Sequence, residues 1–146
     1  MRFQSTAASC GPASLRNALL ARGIARSEEE LARLAGCTTD GTTARGMMRA
    51  LLLVAKEHHG ILPGVLSERR DDIALLKLVA AHRAGCAAIL CVDDNSHWAV
   101  SFGMLGDSIF HLADSADDEL VLHLSPEALL SRWKSSLKNC YYALIV

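Results

Sequence analysis

Cys10 opens the run Cys10-Gly11-Pro12-Ala13-Ser14-Leu15, and proline is tolerated in a helix only within the first turn. The spacing predicts a helix over 10–23, with Leu15, Ala18 and Leu19 on one face and Gly23 as its stop signal. A thiol at such a start meets unpaired backbone N–H groups and the positive end of the helix dipole, which commonly bring its pKa to about 3.5–7.5. That position suits a nucleophile. Attack on a carbonyl also needs a base, a group that orients the base, and donors for the oxyanion that forms.

Of the six histidines, His97 alone begins a predicted strand, directly after the polar turn Asp93-Asp94-Asn95-Ser96. It is the candidate base. His58, His59 and His82 fall at predicted helix C-termini, where an imidazolium complements the dipole, and His111 and His123 fall within strands. Adjacent residues such as His58 and His59 point apart on a helix, so no metal site is expected. If strands over 97–104 and 107–114 form a hairpin about Leu105-Gly106, His97 faces Asp114 on one side of the sheet, with Cβ atoms about 4.5–5.5 Å apart. An odd-length loop would shift the register by one and turn Asp114 away; Asp114 would then be a strand-end turn residue. Gln4, six residues before Cys10, would by itself be a surface residue. Folded across the helix start, its amide joins the Cys10 backbone N–H as a second oxyanion donor.

Stepping outward from these residues, Ser27 and Glu30 form a capping box for a second helix that ends at Gly36. A third is predicted over 44–59 and a fourth from Asp71 or Asp72 to Gly85. From Cys86 the period changes, with strands over 86–92, 97–104, 107–113, 119–124 and 140–146, and a short helix opened by Ser125-Pro126. The fold class is α+β: one domain over 1–146, a helical half over about 1–85 packed on a mostly antiparallel sheet over about 86–146. The net charge of −1 leaves no basic surplus for a nucleic-acid partner. No apolar run approaches the roughly 20 residues that span a bilayer, and Met1-Arg2-Phe3-Gln4 does not open a signal peptide. A cytoplasmic location is expected. Five cysteines without a C-x-x-C pair suggest neither disulfides nor zinc, and Cys37, Cys86, Cys91 and Cys140 read as buried apolar thiols.

The run from Gln4 to Leu15, the Ser27–Leu34 helix, the Gly41-Thr42-Thr43 loop, His97-Trp98-Ala99-Val100, Asp114 and the late helix with Trp133 together resemble the bacteriocin-processing peptidases. These are papain-like cysteine peptidases that remove double-glycine leaders from exported peptides. The resemblance implies a papain-like fold with Cys10 as nucleophile, His97 as general base and acid, Asp114 as orienter and Gln4 as oxyanion donor, and no cofactor. Its partners would be a peptide substrate and an export transporter on a separate chain. Where the family has Asp-Cys-Gly and Asp-Pro, this sequence has Ser9-Cys10-Gly11 and Asp114-Ser115. A leader helix would need an apolar strip, for which Leu62, Val65 and Leu66 are candidates. The alternatives are an acyl transferase resembling phytochelatin synthase, its acyl-enzyme attacked by a thiol peptide, and a non-catalytic peptide-binding domain.

Overall fold

The computed structural model describes residues 1–106, 108–135 and 139–146. Among the described residues five helices, α1 (Cys10–Ala21), α2 (Glu28–Ala35), α3 (Ala44–Glu57), α4 (Asp71–Arg83) and α5 (Pro126–Trp133), pack against six strands. The strands are β1 (Gly64–Glu68), β2 (Ala88–Val92), β3 (His97–Leu105), β4 (Ile109–Ala113), β5 (Val121–Leu124) and β6 (Tyr141–Ile145). They form one antiparallel sheet in the order β1-β6-β2-β3-β4-β5. Among the described residues, no helix is long and apolar enough to cross a membrane.

Strand alternation sends side chains to two cores. Ile89, Cys91, Trp98, Val100, Ala113 and Leu144 pack with α1, α2 and α3, while Leu90, Val92, Phe110, Leu112 and Ala143 pack with α4 and α5. The sheet is therefore covered on both faces. The sequence division at residue 85 misplaces two elements: α4 crosses to the α5 side, and β1, which no sequence signal announced, supplies an edge strand paired with β6. β1 follows Pro63 and contains Gly64, and its partner lies some 80 residues on, beyond the reach of local pattern.

The side chains that start the helices act as the sequence implies. Ser27 accepts from Glu30 N at 3.1 Å, Thr43 from Gly46 N at 3.1 Å and Ser125 from Ala128 N at 3.2 Å. α1 differs, because its N-cap Ser9 makes no side-chain cap bond; the Ser9 hydroxyl instead donates to Thr6 O at 2.9 Å and accepts from Thr6 N at 3.0 Å. The donors at the start of α1 are thus left for another acceptor at Cys10. α3 ends at Glu57 rather than residue 59, with His58 as its C-cap. The expected strand start at Asp107 lies outside the described residues.

The β3–β4 register corrects the proposed hairpin. Leu105 pairs with Ile109, so three residues separate the strands, the odd-length loop that turns Asp114 away. A bulge between Ser101 and Gly103 then inserts one more residue on β3, and beyond it Val100 pairs with Ala113. Continued, that register sets Asp114 beside Ala99, two residues from His97. Two is an even displacement, so both side chains remain on one face.

Candidate active site

The start of α1, the start of β3 and the end of β4 converge. Ser14 Oγ donates to Trp98 O at 2.8 Å and Trp98 Nε1 donates to Thr42 O at 3.1 Å, fixing the residue after His97 to α1 on one side and to the loop before α3 on the other. His97 makes side-chain hydrogen bonds to Cys10 and Asp114. Its Nε2 lies 2.6 Å from Asp114 Oδ1. Asp114 is nearly fully buried, and Oδ1 also accepts from Ala116 N at 3.0 Å.

Electrostatics separate the protons. Burial pushes the Cys10 thiol up, but the hydrogen bond from His97, the Trp98 backbone and the imidazole charge outweigh it, so its pKa lies below the ordinary thiol value. Burial pulls His97 down, and the hydrogen bonds and charges of Asp114 and Cys10 overcome it, raising the imidazole to about 9. Burial likewise opposes Asp114 ionisation, yet His97, Ala116 N and Arg132 hold its carboxyl well below the usual range. Both shifts run in the direction of a thiolate beside an imidazolium.

Gln4 sits next to this line, tied to Asp114 through Ser115. Its backbone N donates to Ser115 O at 3.1 Å, and Ser115 Oγ donates to Gln4 Oε1 at 3.1 Å. With the amide oxygen so engaged, Nε2 turns toward Ala7 O, 3.4 Å away, in the segment leading to Cys10. Proline, which the resemblance places at 115, would have no hydroxyl to do this. Around Gln4 the chain is anchored by two groups that sequence reasoning passed over. Arg16 donates to Arg2 O and Phe3 O, both at 2.8 Å, and buried Glu28 accepts from Ser5 N at 2.9 Å and Ser5 Oγ at 2.6 Å. In sequence Glu28 is one of three acidic residues in the first turn of α2.

Arg132 was missed as well. Its Nη2 donates to Asp114 Oδ2 at 2.8 Å; in sequence it is one charge on a short helix, with nothing to mark it. His58 caps α3 and His111 and His123 lie within strands, as expected, whereas the surroundings of His82 correct its reading. His82 is no dipole-stabilising imidazolium: Nδ1 lies 3.0 Å from Cys86 O, Nε2 lies 2.7 Å from Ser101 Oγ, and burial lowers its pKa. His58 Nε2 lies 3.2 Å from Arg26 Nη2, and His111 faces His123 across β4 and β5. The five cysteines form no disulfide, and only Cys10 and Cys91 are buried; Cys37, Cys86 and Cys140 are half-buried. Leu66 packs with α4, so of the candidate strip only Leu62 and Val65 are exposed, at the sheet edge.

The fold is that of the papain-like peptidases, and in it Cys10, His97 and Asp114 meet where a helix start faces a sheet. Among solved structures the chain is similar to the peptidase domain of Streptococcus ComA, a bi-functional ABC transporter involved in a quorum-sensing pathway, with a TM-score of 0.72 and 19% identity over 99% of this chain and 96% of that one. It is also similar to a C39-like peptidase from Bacillus anthracis (TM-score 0.72, 13% identity, 99% and 92% covered). A third is a double glycine motif protease from an AMS/PCAT transporter in complex with the leader peptide (TM-score 0.64, 19% identity, 97% and 86% covered). In sequence, an uncharacterized protein of Methanothermobacter marburgensis is 36% identical over 93 residues, 64% of each chain. The Lactococcin-A transport/processing ATP-binding protein LcnC of Lactococcus lactis subsp. lactis is 31% identical over 124 residues, 85% of this chain and 16% of that protein. The chain thus spans just under two thirds of the archaeal relative and about a sixth of the transporter. No family model matches it.

Proposed function

We propose that this protein is a cysteine peptidase that cuts an extended peptide after two small residues, of the double-glycine leader type. The observation that carries the reading is the imidazole of His97 shared between Asp114, 2.6 Å from Nε2, and the thiol of Cys10 at a helix start without a side-chain cap. The Cys10 thiolate attacks the scissile carbonyl carbon, and its oxygen takes the negative charge. The Cys10 backbone N–H and the Gln4 amide donate to that oxyanion. His97 gives its proton to the leaving amine as the C–N bond breaks, leaving a thioester on Cys10. The neutral imidazole then takes a proton from water, the hydroxide attacks the thioester, and the C–S bond breaks to restore the thiolate. Asp114 keeps the ring oriented and stabilises its cation.

Small residues before the cut suit this site because Cys10 is only 8% exposed, and a glycine backbone threads a channel that a Cβ would obstruct. Cysteines that form no disulfide accord with a reducing compartment such as the cytoplasm, and an export transporter on a separate chain is the partner the reading implies. The test is a panel of leader peptides ending in Gly-Gly, Gly-Ala or Val-Val before the cut, with and without glutathione. Cleavage falling in that order is expected. Equal cleavage of all three rejects the double-glycine specificity, and glutathione conjugates in place of hydrolysis products move the assignment to acyl transfer.

A further inference from the structure

α5 brings Arg132 behind Asp114, on the side away from the His97 ring. Besides its 2.8 Å bond to Asp114 Oδ2, the guanidinium donates through Nε and Nη2 to both carboxylate oxygens of Asp93, at 3.2 and 2.8 Å. The Arg132 carbonyl in turn accepts from Asp93 N at 2.9 Å, and two residues on Asn95 Nδ2 donates to Ser135 Oγ at 2.7 Å. The turn so held runs through three successive non-glycine residues of positive φ: Asp93 at 51°, Asp94 at 61° and Asn95 at 66°. Such a conformation is costly and persists where surrounding contacts impose it. Asp93, His97, Asp114, Ala116, Asp117 and Arg132 line one concavity of about 250 Å³.

We propose that Arg132, locked in place by Asp93, is a positioning residue that holds the Asp114 carboxylate against His97 and, through its own positive charge, sets the pH range of the Cys10–His97 ion pair. The proposal rests on the reading of Cys10, His97 and Asp114 given above. Oδ1 of Asp114 serves His97 and Ala116 N, so Oδ2 is the lever on carboxylate rotation, and Arg132 holds it. A guanidinium is suited to this, because its planar fork bonds two carboxylates at once in fixed geometry. The charge matters as much as the geometry. The groups bearing on His97 are Cys10 from α1, Asp114 from the end of β4, Arg132 from α5, Asp93 from the β2–β3 turn and Asp117 beyond β4. Arg132 is the one fixed cation among them, and it offsets the field by which Asp114 and Asp93 retain the imidazole proton.

The charge argument gives opposite signs for two substitutions. Arg132→Met leaves Asp93 and Asp114 uncompensated, so His97 keeps its proton to higher pH; Asp93→Asn leaves Arg132 uncompensated, so His97 releases it at lower pH. The experiment is iodoacetamide alkylation of Cys10 followed by peptide mapping, together with kcat/KM, each across pH 5–10 in the full chain. For Arg132→Met the alkaline limb of kcat/KM should rise by about half to one pH unit and the optimum rate fall about tenfold. Arg132→Lys should restore the limb but not the rate, since an ammonium lacks the fork. Asp93→Asn should move the limb down. A merely structural role would lower Tm and rate without moving the limbs in opposite directions, so limbs unmoved, or moved the same way, overturn the proposal. Should Arg132→Met not fold, Asp93→Asn alone decides by the sign of its shift. Full activity in Cys10→Ala would instead defeat the underlying reading, while the alkylation titration would still report on Arg132.

Discussion

Asp114→Asn keeps the shape of the orienting side chain and removes its charge. The carboxylate has three partners: His97 and Ala116 N on Oδ1, Arg132 on Oδ2. An asparagine that keeps its oxygen toward His97 turns its NH2 at the Arg132 guanidinium, donor against donor, and one that flips presents the NH2 to His97 and forces the other tautomer. Either way one bond is lost in a buried place. His97 stands at about 9 against an ordinary value of 6.5, after burial has pulled it down. That difference corresponds to about 3 kcal/mol, and losing about 2 kcal/mol of it with Asp114, the first of the raising groups, would shift the protonation equilibrium of His97 by about 30-fold. The assay is kcat/KM from pH 5 to 10. The alkaline limb should fall from about 9 to about 7.5, with about a fourfold loss at pH 8 that approaches 30-fold by pH 10. An unmoved limb and a rate within about twofold of wild type would refute the reasoning. Stability follows the same groups. Because the folded His97 value is raised, its contribution is complete below about 6.5 and is lost as pH rises through about 9; because Asp114 is lowered, its contribution is complete above about 3.9 and is lost as pH falls.

Two further outcomes are expected. Gln4→Ala should lower kcat by about 100- to 1000-fold with little change in KM, the usual cost of one oxyanion donor; steady-state kinetics giving less than about a twofold change would return Gln4 to the surface. Gly46→Ala should destabilise the fold by about 3 kcal/mol, because its Cβ would fall 2.2 Å from Ala35 O, where α2 and α3 meet. Calorimetry should show Tm falling by about 6–12 °C, with the activity of folded protein preserved; a Tm within about 2 °C of wild type would mean that α2 and α3 part easily.

The residues that meet at the site were legible because each carries a local signal. Pro12 fixes where α1 begins and hence what Cys10 is, and His97 follows a turn whose residues tolerate positive φ. Asp114 was placed on the correct face from an incorrect register, since an odd loop and a one-residue bulge cancel in parity. A bulge leaves no mark in a run such as Val100-Ser101-Phe102-Gly103 beyond its glycine. What stayed hidden depends on tertiary placement alone. Arg132, Glu28 and the Ser115 hydroxyl look like ordinary surface chemistry until the chain folds them against the site. The burial of three cysteines was overestimated for the related reason that apolar neighbours in sequence do not say which end of a strand or helix a thiol occupies.

The central claim is that the Cys10 sulfur becomes acylated by the peptide it cuts. Intact-mass measurement of acid-quenched reactions, with a Gly-Gly leader peptide as substrate, tests it directly. An adduct on Cys10 equal to the mass of the leader fragment less water is expected, together with the released C-terminal product, and neither species with Cys10→Ala. Release of product by Cys10→Ala at the wild-type rate, or an adduct on any other cysteine, would contradict it.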